Sequence, residues 1–504
     1  MSEKARTRYA PSPTGRPHIG NIRTAIFSYL LARHTGGQFI LRIEDTDRKR
    51  YVEGSLEAIM DSLRWLGIDW DEGPEVGGPY GPYLQSERLD LYKKYAEQLI
   101  SEGKAYYAYD RERTEEERKA AEKNPQVSLA HSRQWRDATE EQRRAAAEEG
   151  IKPVIRLKVP LEGTTTVPDI IVRPPTVQNS TLSDVVLLKS DGFPTYHLAH
   201  IIDDHLMEIT HVIRAQEWLP SAPLHVLIYQ AFGWDMPTLV HPPVILNPPG
   251  QKGKLSKRES AVYVGQYREL GYLPEALLNY LVLLGWSYND KDEIFSKEDL
   301  IEKFDVHRIQ PTPAKFSVEK LEWMNGYYIN HQISREEFAK RSLPFLAEAG
   351  LITPDQAQNP GDHLDYLTKV TGLVKDKVKL LSEVPGEIDF MFVPAEQLEY
   401  PAEDLVGKNE SKEAVVRILD ACIDYLSKLP DDQFVTSAIA EGLSQVSVDL
   451  NLKNRGLLFW PVRVALCGRK QSPDAAAMIE TYGRKEAIRH LEVARQKLLA
   501  GVQS

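Results

Sequence analysis

Cysteine is nearly absent: Cys422 and Cys467 are the only two in 504 residues. Two distant thiols cannot build a disulfide framework, and they cannot supply a four-cysteine or Cys/His zinc set. Long apolar runs are missing too. The longest candidate, Leu277–Trp286, falls short of the roughly 20 residues a membrane span needs, and Asn279, Tyr280 and Gly285 interrupt it. The polar stretch Met1–Thr7 enters a motif almost at once. That leaves no room for a signal peptide, and the expectation is a cytoplasmic chain. Positive charge is not in excess either, with 62 Lys+Arg against 73 Asp+Glu and a net charge of −11. Phosphate contacts need Lys and Arg, but an acidic average and a basic track fit on one large surface. Charge alone therefore leaves nucleic-acid binding open. What is present is ordinary for a soluble globular chain, 42% hydrophobic and 27% charged, and the length allows about three to five units with cores of their own.

The first ~50 residues read as strand, turn, helix, strand. Arg8–Ala10 lead into Pro11-Ser12-Pro13-Thr14-Gly15, a turn-rich stretch. After Gly20, Ile22, Ala25, Ile26, Tyr29 and Leu30 share a helix face, which stops at Gly36-Gly37. Phe39–Ile43 form a short apolar strand ending in Glu44-Asp45-Thr46-Asp47. This is a βαβ unit, the start of a doubly wound parallel sheet. Asp110–Gly150 is dense in Glu, Arg, Lys and Ala, as in exposed helices of an insertion. The sheet pattern returns at Val185–Leu188 and Ile209–Ile213. Ser221 can cap the next helix, with Leu224, Leu227, Ile228 and Ala231 inward, and Val244–Leu246 read as a further buried strand. From ~320 onward the pattern is helical, as in Val415, Ile418, Leu419, Cys422, Tyr425 and Leu426.

Two stretches carry phosphate chemistry. Pro11–Gly20 joins a strand to a helix N-terminus, where backbone N–H groups and the helix dipole suit a triphosphate. Within it His18 can donate to a phosphate as charge shifts in a transition state. Lys254-Leu255-Ser256-Lys257-Arg258 puts two lysines three apart on a Gly-flanked loop, able to close over phosphates and neutralise a leaving pyrophosphate. Alone, the first is a proline-rich turn with an incidental histidine and the second a solvated basic loop. Paired, they resemble the two signatures of the class I aminoacyl-tRNA synthetases, although Asn21 stands where the first signature ends in histidine. The finer resemblance is to the bacterial glutamyl-tRNA synthetases. It rests on Arg8–Gly15, Arg42-Ile43-Glu44-Asp45-Thr46-Asp47, Tyr196-His197-Leu198-Ala199 with Asp203-Asp204-His205, His211-Val212-Ile213-Arg214 with Glu217-Trp218-Leu219, and Trp323-Met324-Asn325-Gly326.

That resemblance implies an α/β fold, a Rossmann-type doubly wound parallel sheet split by a connective insertion, followed by an all-α anticodon-binding region. The expected division is 1–90 with 186–260 for the catalytic fold, 91–185 for the connective, acceptor-binding insertion, 261–330 for a stem-contact region, and 331–504 for the helical region in two subdomains. It implies that Arg8, Ala10, Ser12, Glu44, Tyr196 and Arg214 line the glutamate pocket. Thr14, Gly15, His18, Gly20, Glu217, Ile245, Lys254, Ser256 and Lys257 then serve ATP, with His18, Lys254 and Lys257 catalytic. The substrate agrees: two carboxylates want two guanidinium forks and the ammonium wants an anion, Glu44. Asp203, Asp204 and His205 read as structural, or as serving the tRNA end, rather than as a metal set. ATP would bring Mg²⁺, and partners would be L-glutamate and tRNA(Glu), with a monomeric state usual. Some members hold zinc in the insertion. Gly103–Trp135 has no cysteine, so no structural zinc is expected, and contacts of Tyr106, Tyr107 and Tyr109 should hold the segment instead. Basic stretches at Lys375–Lys379 and Arg455–Lys470, the second with Phe459 and Trp460, suit an anticodon. Lys377 matches a position where arginine helps exclude glutamine tRNA. Lysine there lacks the planar two-bond fork, which extends the partner set to tRNA(Gln). Glutaminyl-tRNA synthetase, a small nucleotidyltransferase and a non-enzymatic RNA-binding scaffold are the alternatives. The helical pattern after ~330 argues against the first, length and the Arg42–Asp47 string against the second, and the paired phosphate motifs against the third.

Overall fold

The computed structural model describes residues 4–111, 114–250, 253–255, 262–408 and 411–500. Strand β1 (Arg6–Tyr9), helix α1 (Ile19–His34) and strand β2 (Gln38–Leu41) form the expected βαβ unit. β1 and β2 run parallel, from Arg6 opposite Gln38 to Tyr9 opposite Leu41. Strand His211–Ile213 pairs with the other edge of β1, and strand Thr238–Val240 lies beyond it, both parallel. Such a sheet is covered on both faces, so its strands are apolar throughout; Phe39, Ile40 and Leu41 are fully buried. α1 goes further than the sequence pattern implies. Besides Ile22, Ala25, Ile26, Tyr29 and Leu30, its Arg23, Thr24, Phe27 and Ser28 are buried. It is a core helix rather than an amphipathic surface one, and its Arg23 donates from Nη1 to the Leu284 carbonyl at 2.6 Å.

Three local expectations are corrected. Strand Val186–Leu188 does not join the parallel sheet. It pairs antiparallel with Val154–Leu157, which pairs antiparallel with Ala105–Ala108, giving the insertion its own three-stranded sheet. Val244–Leu246 is not a strand. The ladder ends at Val240, because Pro242 and Pro243 bring no N–H donors. Leu246 instead makes single bridges to Lys254 and Lys315. Ser221 precedes helix Ala222–Phe232 without capping it through its side chain; its hydroxyl donates back to the Trp218 carbonyl at 3.0 Å.

The insertion carries the exposed helices Glu115–Lys123, Pro125–Ser132 and Glu140–Glu148. Its tyrosines do pack, Tyr109 lying 5.4 Å from Trp135. The stronger tie is ionic. Asp184 is fully buried and accepts from Arg136 at 2.9 Å and from the Tyr106 hydroxyl at 3.0 Å. Arg156 reaches the Asp184 carbonyl at 2.6 Å and the Asp110 carboxylate at 2.8 Å.

The chain divides into two compact units, 1–268 with 274–321 and 269–273 with 322–504, and helix Val318–His331 runs across the division. The described residues of the second unit form helices and turns. Helix Lys412–Lys428 shows why: Ser411 caps it through the Ala414 N–H, and Val415, Ile418, Leu419, Cys422 and Leu426 fall on one buried stripe. No described helix is long and apolar enough to cross a membrane.

Candidate active site

At the carboxyl ends of β1 and strand His211–Ile213 lies a cavity of about 890 Å³, the crevice an open parallel sheet offers a ligand. Eight of the expected residues meet in its lining: Arg8, Ala10, Ser12, Thr14, Glu44, Tyr196, Arg214 and Glu217. Lys254 connects to it through an ion pair with Glu217. Ile245 is buried and outside the lining; its carbonyl accepts from the Leu255 N–H at 2.9 Å, which anchors the Lys254 loop. Ser256 and Lys257 lie outside the described residues.

The start of α1 differs from the expectation of unpaired N–H groups. His18 is the helix N-cap, and its Nδ1 accepts from the Gly20 N–H at 3.0 Å. The Ile19 N–H donates to the Val262 carbonyl at 2.8 Å. The described backbone donors at this helix start are thus engaged within the fold. Nδ1 as acceptor fixes the neutral ring as the Nε2–H tautomer, a donor. A Cβ at Gly20 would sit 3.2 Å from the His18 ring, so a side chain would push the cap aside. Gly15 stands in the preceding turn at φ 134°, open to glycine.

The two arginines are not equivalent. Arg8 donates from Nε and Nη2 to Asp204 at 3.0 and 3.2 Å. Asp204, 1% exposed, also accepts from Arg42 at 2.7 Å. Burial works to raise the Asp204 carboxyl, but Arg8 and Arg42 overcome it and hold it well below the usual carboxylate range. Its neighbour Asp203 accepts from Arg88 (2.8 Å), Gln85 (2.9 Å) and Tyr92 (2.8 Å). Both aspartates are thus committed to arginine, amide and phenol donors, in line with a structural role. Arg214 is 6% exposed, and among the described residues no carboxylate pairs with it; its donors go to Tyr196 and to histidine rings. Glu44 is held by Arg42 at 3.1 Å. Burial raises its carboxyl to about 7, against the pull of Arg42 and Arg8.

An arginine that pairs with no carboxylate among the described residues and a buried carboxylate raised toward neutrality line one cavity at a Rossmann-type switch point, with Lys254 joined to it through Glu217. Comparison with known proteins decides which family builds this. The model "tRNA synthetases class I (E and Q), catalytic domain" matches residues 4–323, and an anticodon-binding-domain model matches 337–495. A glutamate–tRNA ligase of Dehalococcoides mccartyi is 44% identical, covering 99% of this chain and 98% of its own length.

The chain belongs to the class I glutamate–tRNA ligases.

Another such ligase, from Chloroflexus aurantiacus, is 44% identical with 97% of each chain covered. The crystal structure of a glutamate–tRNA ligase from Elizabethkingia meningosepticum, solved with its amino acid, is 38% identical and superposes with a TM-score of 0.85, over 98% of this chain and all of that one. Members of this family are enzymes that use ATP.

Residues without an expected role also shape the site. Trp218, in the Glu217-Trp218-Leu219 string, packs tilted against Tyr196 with ring centroids 4.2 Å apart and joins the lining. Lys189 and Asp191 line the mouth, and nothing in their spacing marked them. In the second unit, Lys377 sits on a turn and forms an ion pair with Glu387. It lines a cavity of about 1050 Å³ together with Arg335, Lys369 and Lys375. The Arg455–Lys470 stretch is largely committed to the fold: Trp460 donates to the Asp404 carbonyl at 2.7 Å, Lys470 pairs with Asp404 at 3.0 Å, and Arg469 binds Asp389.

Proposed function

We propose that this ligase holds L-glutamate in the cavity around Arg214, with the side-chain carboxylate on Arg214, Arg8 and Tyr196 and the ammonium on Glu44, near Ser12 and Ala10. The observation that carries the reading is Arg214, a buried guanidinium with no carboxylate beside it among the described residues. A buried charge without a partner is costly, and an anionic ligand removes the cost.

The α-carboxylate of glutamate then attacks the α-phosphorus of ATP. A P–O bond forms, the bond to the β-phosphate bridge breaks, and pyrophosphate leaves. ATP lies along Thr14, Gly15, Gly20, Glu217, Ile245 and Ser256. His18 donates from Nε2, and Lys254 and Lys257 meet the charge on the leaving group. Lys254 first exchanges Glu217 for phosphate. Mg²⁺ arrives with the nucleotide as part of the substrate, and zinc has no structural role. In the second step the 2′-hydroxyl of the terminal adenosine of tRNA attacks the glutamyl carbonyl, and AMP leaves. The protein supplies position and electrostatics rather than a covalent intermediate; both cysteines are buried. The enzyme works as a cytoplasmic monomer. Its tRNA partner is tRNA(Glu). A paired lysine rather than an arginine at 377 supports acceptance of tRNA(Gln) as well.

ATP–pyrophosphate exchange, with glutamate or glutamine and with or without tRNA, tests the pocket. Arg214→Gln should raise KM for glutamate at least tenfold, the loss of about 1.4 kcal/mol of binding. Parental kinetics in that variant would show that the carboxylate sits elsewhere.

A further inference from the structure

Every polar hydrogen of Arg214 that meets the protein meets a neutral acceptor. Nε donates to His241 Nε2 at 2.9 Å. Nη2 donates to His225 Nδ1 at 3.0 Å. Nη1 donates to the Tyr196 hydroxyl at 3.2 Å and approaches His200 Nε2 at 3.5 Å. The three rings come from three separate elements: His200 from helix Tyr196–Leu206, His225 from helix Ala222–Phe232, and His241 from the residue after strand Thr238–Val240. All three residues are buried.

The outer side of the ring fixes the tautomer of His200 and His241, and Arg214 fixes that of His225. His200 Nδ1 faces the Tyr196 carbonyl at 2.6 Å, an acceptor only, so Nδ1 carries the proton and Nε2 the lone pair. His241 Nδ1 faces the Asp169 carboxylate at 2.6 Å, so the same holds there. His225 presents its lone pair at Nδ1, so its Nε2–H donates to His197 Nδ1 at 3.0 Å. The tautomers are consistent all the way round. Burial, reinforced by the Arg214 charge, holds His200 and His225 well below the ordinary histidine range. Burial also lowers His241, although Asp169 pulls the other way. A proton on any of the three would set a cation against the guanidinium.

We propose that His200, His225 and His241 are positioning residues that form a neutral imidazole cage, fixing the Arg214 guanidinium without cancelling its charge, and that this uncancelled charge selects glutamate over glutamine. A carboxylate in the cage would orient Arg214 equally well, as Asp204 orients Arg8. It would also leave Arg214 balanced, so that a neutral amide would cost little to bind. A neutral cage holds the fork in place and leaves the balance to the ligand, so an amide leaves a buried cation unpaired. The inference rests on the reading that Arg214 receives the substrate's side-chain carboxylate.

Isosteric pairs that differ only in charge test it. At 225, Asn places a neutral oxygen where Nδ1 stood, and Asp places a charged one. At 241, Gln and Glu do the same for Nε2. Kinetics of glutamate and glutamine activation are measured in all four variants, with thermal melts to establish folding. His225→Asn and His241→Gln should keep the glutamate-to-glutamine ratio of kcat/KM within about threefold of the parent. His225→Asp and His241→Glu should narrow it tenfold or more, chiefly through KM for glutamate, a split that a merely structural role would not produce. Equal ratios within both pairs would overturn the cage. Arg214→Gln separates the two readings: parental behaviour in that variant means the pocket assignment has failed, whereas a loss there with equal ratios in the pairs means the cage alone has failed. If the acidic variants do not fold, ¹⁵N spectra of the histidine-labelled parent decide. Neutral rings at 200, 225 and 241 from pH 8 to 6 support the cage, and an imidazolium at any of them at pH 7 overturns it.

Discussion

Glu44 should make glutamate activation pH-dependent in a range where carboxylates ordinarily do nothing. The free carboxyl is raised by burial from 4.5 to about 7, with Arg42 and Arg8 opposing. The empty fold therefore keeps the proton longer than the unfolded chain does. As pH rises from 4.5 through 7, the ionised carboxylate becomes a growing cost to the fold, and a bound ammonium offsets it. Only the ionised form pairs with the substrate ammonium. With a value of about 7, roughly nine-tenths of the enzyme is competent at pH 8 and roughly one-tenth at pH 6. kcat/KM for glutamate should fall about tenfold between these values, equivalent to about 1.4 kcal/mol. Most of the change should appear in KM. The assay is pyrophosphate exchange with tRNA present, at saturating MgATP, with Glu44→Gln run in parallel. ATP titrates identically in both proteins, so the difference between the two profiles belongs to Glu44. The variant should bind glutamate weakly and with a flat profile. If the parent and Glu44→Gln show the same slope from pH 6 to 8, Glu44 does not receive the ammonium.

Lys257→Ala should lower turnover for activation tenfold or more, about 1.4 kcal/mol of barrier, with little change in thermal stability; wild-type turnover would remove it from the catalytic set. Asp184→Asn should destabilise the insertion by about 1–3 kcal/mol, because the partly buried Arg136 and Arg133 lose the counter-charge of the buried Asp184. Limited proteolysis reads this directly, and metal analysis of the parent should find no stoichiometric zinc. Lys377→Arg should sharpen the preference for tRNA(Glu) over tRNA(Gln) in charging assays. A strong preference in the parent that Lys377→Ala leaves unaltered would dismiss the position as a determinant.

What could be read in advance followed how local each feature is. β1, α1 and β2 are each marked by side chains within the element itself, and they follow one another directly in the chain, so their order, type and parallel pairing were legible. Val186–Leu188 was legible as a strand but not as part of the insertion's sheet, because alternation describes a strand's faces and says nothing of its neighbour. Val244–Leu246 failed for a different reason. An apolar triplet satisfies a strand template, yet prolines on both sides end the ladder. The Ile245 carbonyl instead accepts from the Leu255 N–H beside Lys254, while Leu246 bonds Ala314 and Phe316, so the segment ties the Lys254 loop to neighbouring chain.

The same argument separates the two arginines of the proposed glutamate pocket. Both were legible as cations with a carboxylate to find. Which one keeps its charge depends on partners far along the chain: Asp204 lies 196 positions from Arg8, while the rings around Arg214 stand 11 to 27 positions from it on separate elements. Histidines at 200, 225 and 241 share no spacing, so no motif scan would group them. They converge because helices Tyr196–Leu206 and Ala222–Phe232 pack on each other, and Ala222 and Val226 share a core with Val212 and Leu239 at the edge of the parallel sheet. The residues that touch the ligand were written in short strings. The residues that decide whether a touching arginine is still a net charge were distributed by the topology. Selectivity for an acid over its amide resides in that second group, because an arginine already balanced by aspartate and one left unbalanced present the same fork to a ligand and differ only in the cost of leaving it empty.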